Sequence, residues 1–189
     1  MKTLLYINAC MREQSRTEKL CRRYIEHLIR NEVFDIKEVK LSEQELKPFN
    51  HTMLEKRNAD MENQSFNDSD YQFAKDFASA DFIVIAAPLW DCSFPSVLKV
   101  YFEHICVNGI TFGYTADGKP LSLCHAEKLV YISTAGGYIK KNNSVKLYME
   151  ELCDMFGIEN RNCFIADGMD IVGNDTEKIL NKTYKLMCG

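Results

Sequence analysis

The stretch "DFIVIAAPLWDCSFPSVLK", residues 81–99, decides the fold class of this 189-residue chain. Its first half is the strongest apolar run in the sequence, and such a run without polar alternation is typical of a strand buried on both faces. Pro88 ends the hydrogen bonding of a strand, and Pro95 stands where prolines commonly start helices. The stretch therefore predicts a buried strand over 81–90, a turn, and a helix over 95–107.

The rest of the chain repeats this alternation of strand and helix. Further strands are predicted over 2–9, 34–41, 128–134 and 163–171. Further helices are predicted from Ser15, over 69–79, over 143–156 with a stop at Gly157, and after Asp175. Polar residues dominate 42–67, so this segment is predicted to be irregular.

Strands that alternate with helices imply a parallel sheet with helices on both faces. Five strands in this order predict a doubly wound, flavodoxin-like α/β domain over residues 1–189, with strand order 2-1-3-4-5. Ligands of such sheets bind beyond the carboxyl ends of the strands, at the point where the strand order reverses. We therefore expect the site to be formed by three loops, 9–17, 87–95 and 133–138.

Composition excludes several other classes of function. The net charge of −4 gives no electrostatic support for a nucleic-acid partner, and no apolar window approaches the length of a membrane span. The N-terminal apolar run is too short for a signal peptide. The eight cysteines include no CxxC pair, which argues against a metal or iron–sulfur site. Free thiols in the cytoplasm are the simplest interpretation.

The first loop, "CMREQSRT" from Cys10 onward, contains an anion-binding pattern. Ser15 and Thr17 offer hydroxyls at a helix N-terminus, where free N–H groups and the helix dipole favour a negative charge. Arg12 or Arg16 adds a positive charge. An ordinary N-cap with solvated arginines is the simpler alternative.

Cys10 raises a third interpretation, because a cysteine separated from an arginine by five residues, as Cys10 is from Arg16, matches the phosphate loop of cysteine phosphatases. That chemistry also needs small loop residues that let successive N–H groups wrap a phosphate, and a general acid that is usually part of an Asp-Pro loop. Here the loop residues "MREQS" are bulky and charged, and the chain contains no Asp-Pro. The phosphatase interpretation is therefore weak.

The second and third loops carry features that suit a flat ligand. Trp90 follows the buried strand closely and is expected at the mouth of the site, although a tryptophan is also common in a core. Gly136 and Gly137 follow the fourth strand, where a backbone without side chains can approach a ligand. A plain tight turn is the alternative. The convergence of three such loops on one sheet edge favours a binding site.

The segments "APLWDCSFPSVLKVYFEHICVNGITFGYTADG" (87–118) and "KLVYISTAGGYI" (128–139) resemble the FMN-dependent NADH:quinone and azobenzene reductase family, which includes the NADH-azoreductases. The resemblance extends from Lys2 to about Leu180. It implies that the first loop holds the FMN phosphate, that the turn after strand 3 borders the flavin ring, and that the Gly-Gly turn meets its pyrimidine edge. The residues implied are Ser15, Arg16 and Thr17; Leu89, Trp90, Asp91 and Cys92; and Thr134, Ala135, Gly136 and Gly137.

The resemblance implies hydride transfer from NADH or NADPH through FMN to a small-molecule acceptor such as a quinone or azo compound, with no catalytic side chain. Cys10 would then line the phosphate loop or pack below it. A flavodoxin-like electron carrier is the alternative from another class, but its Thr/Gly-rich phosphate loop is absent. The family often has asparagine where this chain has Asp91 and arginine where it has Ala135, and the first loop is one residue shorter.

Members of the family are homodimers with the flavin at the subunit interface. The predicted helix 95–107 is apolar on nearly all sides, more than one sheet can cover, which also predicts a subunit contact. The irregular segment 42–67 is expected near the same edge, covering a substrate pocket. We therefore expect a homodimer whose two sites are completed by both chains.

Overall fold

The computed structural model describes residues 1–67 and 69–189. The strands are β1 (Lys2–Asn8), β2 (Phe34–Lys40), β3 (Phe82–Ala86), β4 (Phe112–Tyr114), β5 (Pro120–Ser122), β6 (Lys128–Thr134) and β7 (Arg161–Ala166). The helices are α1 (Arg16–Asn31), α2 (His51–Glu62), α3 (Gln72–Ser79), α4 (Ser96–Ile105), α5 (Ser144–Phe156) and α6 (Thr176–Cys188). Single 3-10 turns lie at Leu41–Glu43 and Ser69–Tyr71.

Five parallel strands form one sheet in the order β2-β1-β3-β6-β7. Counting only these five strands along the chain, the order is 2-1-3-4-5, so the predicted flavodoxin-like arrangement is confirmed. The strand order reverses beside β1, which pairs with β2 on one side and β3 on the other. The ends of β1, β3 and β6 therefore open onto a crevice between neighbouring loops.

Each face of the sheet is covered by its own hydrophobic core, because alternate strand residues point to opposite faces. On one face, Leu5 and Ile83 pack with buried residues of α3, α4 and α5. On the other face, Leu4 and Val84 pack with buried residues of α1 and α6. Side chains buried on both faces explain why these strands are apolar without alternation.

Two predictions about the elements were wrong, and one hairpin was missed. The segment 42–67 is not wholly irregular, because Asn50 caps α2 by accepting a hydrogen bond from the Met53 amide at 2.9 Å. No residue of α2 is buried, so the helix carries no apolar face that sequence patterning could detect. The last strand ends at Ala166 rather than 171, since Gly168 takes a left-handed φ of 72°. The antiparallel β4–β5 hairpin was not predicted.

The apolar sides of α4 are covered by the chain itself. Tyr101 and Phe102 are 0% and 1% exposed. The Tyr101 ring lies 5.6 Å from that of Phe73, and the Phe102 ring lies 5.6 Å from those of Phe94 and Tyr148. The interpretation of this helix as a surplus apolar face awaiting a second subunit is therefore wrong.

Candidate functional site

A cavity of about 320 Å³ lies at the carboxyl ends of β1, β3 and β6, where the strand order reverses. The three predicted loops contribute to it, together with the loop that follows β7. The lining residues are Met11, Arg12, Gln14, Ser15, Arg16, Thr17, Pro88, Leu89, Trp90, Thr134, Ala135, Gly136, Met169 and Asp170.

The first loop delivers the N-terminus of α1 to this cavity. Ser15 is the N-cap, and its Oγ accepts a hydrogen bond from the Glu18 amide at 3.3 Å. Thr17 is fully buried, and its Oγ1 lies 2.7 Å from Oγ1 of Thr134, which joins the loop to the end of β6. Free N–H groups and the positive end of the helix dipole therefore face the cavity beside the Ser15 hydroxyl, an arrangement that suits a phosphate.

The loop after β7 supplies an acidic group that the sequence did not reveal. Asp170 Oδ1 accepts a hydrogen bond from Arg16 Nη1 at 2.7 Å, with both side chains partly exposed. The Asp170 amide donates to the Gly136 carbonyl at 2.9 Å, and the Met169 amide donates to the Ala135 carbonyl at 3.0 Å. These backbone bonds hold the loop against the Gly-Gly turn, so Asp170 partly neutralises one of the two arginines in the site.

The second loop reverses the chain direction in a tight turn whose central residues have left-handed backbone conformations. Trp90 and Ser93 exchange two backbone hydrogen bonds, at 2.7 and 2.8 Å, around Asp91 and Cys92. The φ angles of Asp91 and Cys92 are 48° and 65°, so the two residues form the type I′ turn of a two-residue hairpin. The Cys92 carbonyl accepts a hydrogen bond from Ser144 Oγ at 2.6 Å, which ties the turn to α5.

This reversal places Trp90 over the cavity and leaves the tip of the turn outside it. Trp90 is 36% exposed, and the Arg12 guanidinium lies 6.0 Å from the centre of its ring. Asp91 and Cys92 are exposed at the rim and do not line the cavity. A flat aromatic wall next to an anion site is what a ligand with a phosphate and a flat ring requires.

The Gly-Gly turn contains one glycine that packs closely against a neighbouring side chain. A Cβ on Gly136 would lie 2.5 Å from Asp170 Oδ2, closer than carbon and oxygen can approach without a shift. A Cβ on Gly137 would meet nothing within 4 Å, and Gly137 does not line the cavity. Gly136 therefore permits the contact between the third loop and the loop after β7.

Cys10 lies below the first loop rather than in the cavity. Its side chain is buried, with Sγ 3.7 Å from the Ala86 carbonyl oxygen, and the Cys10 amide donates to Asn8 Oδ1 at 3.0 Å. Burial raises the pKa of the Cys10 thiol to about 11, so the thiol is protonated at neutral pH. A protonated thiol outside the cavity is not a phosphatase nucleophile.

Most of the predicted site residues meet in the cavity, whereas Asp91, Cys92 and Gly137 lie at or beyond its rim. Sequence reasoning missed Met11, Gln14, Pro88, Met169 and Asp170. The sequence did contain a signal for Pro88, because a proline directly after a strand at the site edge of the sheet is expected among the site residues. Met169 and Asp170 carried no signal, because the sequence prediction placed them within a strand over 163–171.

Metal sites and membrane-spanning helices are both absent from residues 1–67 and 69–189. Across these residues, no three His, Cys, Asp or Glu side chains are grouped so that they could hold a metal ion. No helix in the same part of the chain has the length and apolar character needed to cross a membrane.

Comparisons with known proteins place similar sequences in one family of flavodoxin-like proteins. The profile of a family described as having a flavodoxin-like fold matches residues 2–186. The FMN-dependent NADH:quinone oxidoreductase of Clostridium perfringens is 34% identical over 185 residues, which are 94% of this chain and 92% of the relative. FMN-dependent NADH:quinone oxidoreductase 2 of Clostridium acetobutylicum is 40% identical over 119 residues, 60% of this chain and 59% of the relative.

A solved structure agrees with the fold. The FMN-dependent NADH-azoreductase of Bacillus anthracis, crystallised in complex with FMN, superimposes with a TM-score of 0.82 at 22% identity. The match covers 99% of this chain and 96% of the azoreductase.

Proposed function

The chain belongs to the FMN-dependent NADH:quinone oxidoreductases of the flavodoxin-like fold family, and from that membership we propose how its cavity serves their reaction. It is an FMN-dependent oxidoreductase that takes reducing equivalents from NADH and delivers them to a quinone or azo acceptor. When bound, FMN would supply the hydride transfer between the donor and the acceptor. The remaining task of the protein is to bind and orient the cofactor and both substrates.

The observation that carries the proposal is the junction of an anion site with a flat aromatic wall in one cavity. The N-terminus of α1 and the Ser15 hydroxyl form the anion site, and Trp90 forms the wall. FMN carries a phosphate dianion at one end and a flat ring at the other, so these residues fit both ends of the cofactor.

Each residue has a role that follows from its place. Ser15 can keep its N-cap bond to the Glu18 amide while its hydroxyl donates to the phosphate. Thr17 holds the loop in place through Thr134 and contributes its amide at the helix start. Arg16 supplies charge, moderated by Asp170.

The ring end is formed by the second and third loops. Leu89 and Trp90 border the ring, and the backbone of Ala135 and Gly136 approaches its edge without obstruction. The family resemblance also implies Asp91 and Cys92, but both lie at the exposed tip of the turn, outside the cavity, so we assign them no contact with the ring.

We also propose a homodimer located in the cytoplasm. Apolar side chains flank the site, with Tyr138 at 69% and Val172 at 100% exposure, and α4 does not contribute to this surface. A second chain covering these residues would exclude water from the cavity. All eight cysteines are free thiols, which suits a reducing compartment. If the purified protein sediments as a monomer at micromolar concentration and has full turnover, the proposed dimer is wrong.

The proposal is tested with the purified protein and its spectrum. We expect the yellow absorbance of a flavin, release of FMN on denaturation, and steady-state oxidation of NADH that depends on a small quinone. An electron carrier would bind FMN but would not turn over NADH with the quinone alone. Absence of both flavin binding and turnover after reconstitution with FMN would refute the function.

A further inference from the structure

The loop after β7, residues 167–175, brings a carboxylate to the anion site of the candidate cavity. Asp170 Oδ1 accepts a hydrogen bond from Arg16 Nη1 at 2.7 Å, and both residues line the cavity together with Ser15. The oxygens of a carboxylate and of a phosphate are recognised by a guanidinium in the same way. Asp170 therefore takes, on Arg16, a position that a phosphate oxygen could occupy.

The backbone of this loop fixes where the Asp170 carboxylate lies. Three successive amides, at residues 168–170, donate hydrogen bonds to the carbonyls of residues 135–137 over distances of 2.9–3.0 Å. Asn174 Nδ2 donates to the Gly168 carbonyl at 2.8 Å, which closes the loop on itself. The negative charge is thus part of the wall of the cavity rather than a side chain on a free loop.

This negative charge opposes a phosphate at the N-terminus of α1. Arg16 can direct its charged hydrogen bonds to a phosphate only if it gives up its bond to Asp170. If that bond is kept, the carboxylate stays next to the dianion, and like charges at short range repel each other. Either way the carboxylate lowers the free energy gained when a phosphate binds. In the FMN-free protein, by contrast, the carboxylate satisfies Arg16.

We propose that Asp170 is an internal competitor for the phosphate of FMN and limits the affinity of this chain for FMN. When the cofactor leaves, the carboxylate takes the place of the phosphate on Arg16, so that FMN is exchangeable. This role of Asp170 rests on the proposed function, since it requires that the FMN phosphate binds at the N-terminus of α1.

The test is fluorescence titration of the FMN-free protein with FMN and with riboflavin, which has the same ring and ribityl chain but no phosphate. Asp170→Asn removes the charge and leaves the backbone hydrogen bonds of the loop intact. We expect it to bind FMN about two- to tenfold more tightly than the wild type, because Arg16 and Asp170 are 47% and 67% exposed and water screens their charges. The affinity for riboflavin should not change.

The matched control is Asp154→Asn. Asp154 also accepts a hydrogen bond from an arginine, Arg161, and its side chain is 66% exposed, but it does not line the cavity. This variant changes the net charge of the protein by the same amount as Asp170→Asn does. It should leave the affinities for FMN and for riboflavin as they are in the wild type.

A second variant, Asp170→Ala, keeps the test decisive, because an asparagine oxygen could still accept a hydrogen bond from Arg16. It should also bind FMN more tightly, and both variants should release FMN more slowly when the complex is diluted. A carboxylate that only oriented Arg16 would give the opposite result, since its removal would weaken FMN binding.

The role assigned to Asp170 is wrong if both of its variants bind FMN no more tightly than the wild type. It is also wrong if riboflavin binding tightens by the same factor, or if Asp154→Asn tightens FMN binding equally. A wild-type protein that binds no FMN would refute the proposed function together with this role. If the wild type binds FMN and oxidises NADH with a quinone, failure of the Asp170 variants removes only the internal competitor.

Discussion

Replacing Ser15 with alanine separates the two roles of the first loop. Ser15 Oγ caps α1 by accepting from the Glu18 amide, and the same hydroxyl lines the FMN cavity. The variant loses the cap in the free protein, and in the complex it also loses a donor to the phosphate. We therefore expect a small loss of stability and a larger loss of FMN affinity.

The expected loss of stability is smaller than the expected loss of FMN affinity, because the cap bond is weaker than a hydrogen bond to a charged phosphate. The cap bond is long, at 3.3 Å, which places its worth at the lower part of the usual range for N-caps, about 0.5–1 kcal/mol. A hydrogen bond to a charged phosphate contributes about 1.5–3 kcal/mol. FMN affinity should thus fall by about 10- to 150-fold.

Fluorescence titration of the FMN-free protein measures the affinity, and urea unfolding of the same sample measures the stability. Asn50→Ala is the matched control, because Asn50 caps α2 through the Met53 amide at 2.9 Å and does not line the cavity. The control should lose a similar amount of stability and keep its FMN affinity. Unchanged FMN affinity in Ser15→Ala, or an equal loss in both variants, would refute the assignment of the phosphate to this loop.

Variants at four other positions test the remaining parts of the site. Cys10→Ser should keep most quinone turnover, since hydride transfer through a flavin needs no thiolate; turnover lost at full FMN occupancy would contradict this. Burial raises the pKa of the Cys10 thiol to about 11, so the unfolded chain loses this proton at a lower pH than the folded protein does. The free energy of unfolding of the wild type should therefore decline above about pH 9, and more than that of Cys10→Ser. Urea unfolding at a series of pH values measures the difference. Gly136→Ala should displace the Asp170 carboxylate from Arg16 and so tighten FMN binding in the titration, whereas Gly137→Ala should leave the FMN affinity unchanged. Thr17→Val should lower the free energy of unfolding by about 1–3 kcal/mol, because Thr134 loses its buried partner; unchanged urea unfolding would count against that role.

The sequence by itself determined the sheet and the position of the crevice. Short apolar runs at 82–86 and 129–132 are typical of strands buried on both faces, and their alternation with helices favours a parallel sheet. Helix caps, prolines and glycines act within a few residues, so the helix start at Ser15 and the turn after Pro88 were predictable. The roles of these residues toward FMN stay predictions.

Only the tertiary structure decided which distant groups meet. Arg16 and Asp170 are 154 residues apart, and their pairing depends on a loop whose sequence reads as strand. The covering of Tyr101 and Phe102 by the chain's own side chains could not be read from helix periodicity, which reports how many sides are apolar but not what covers them.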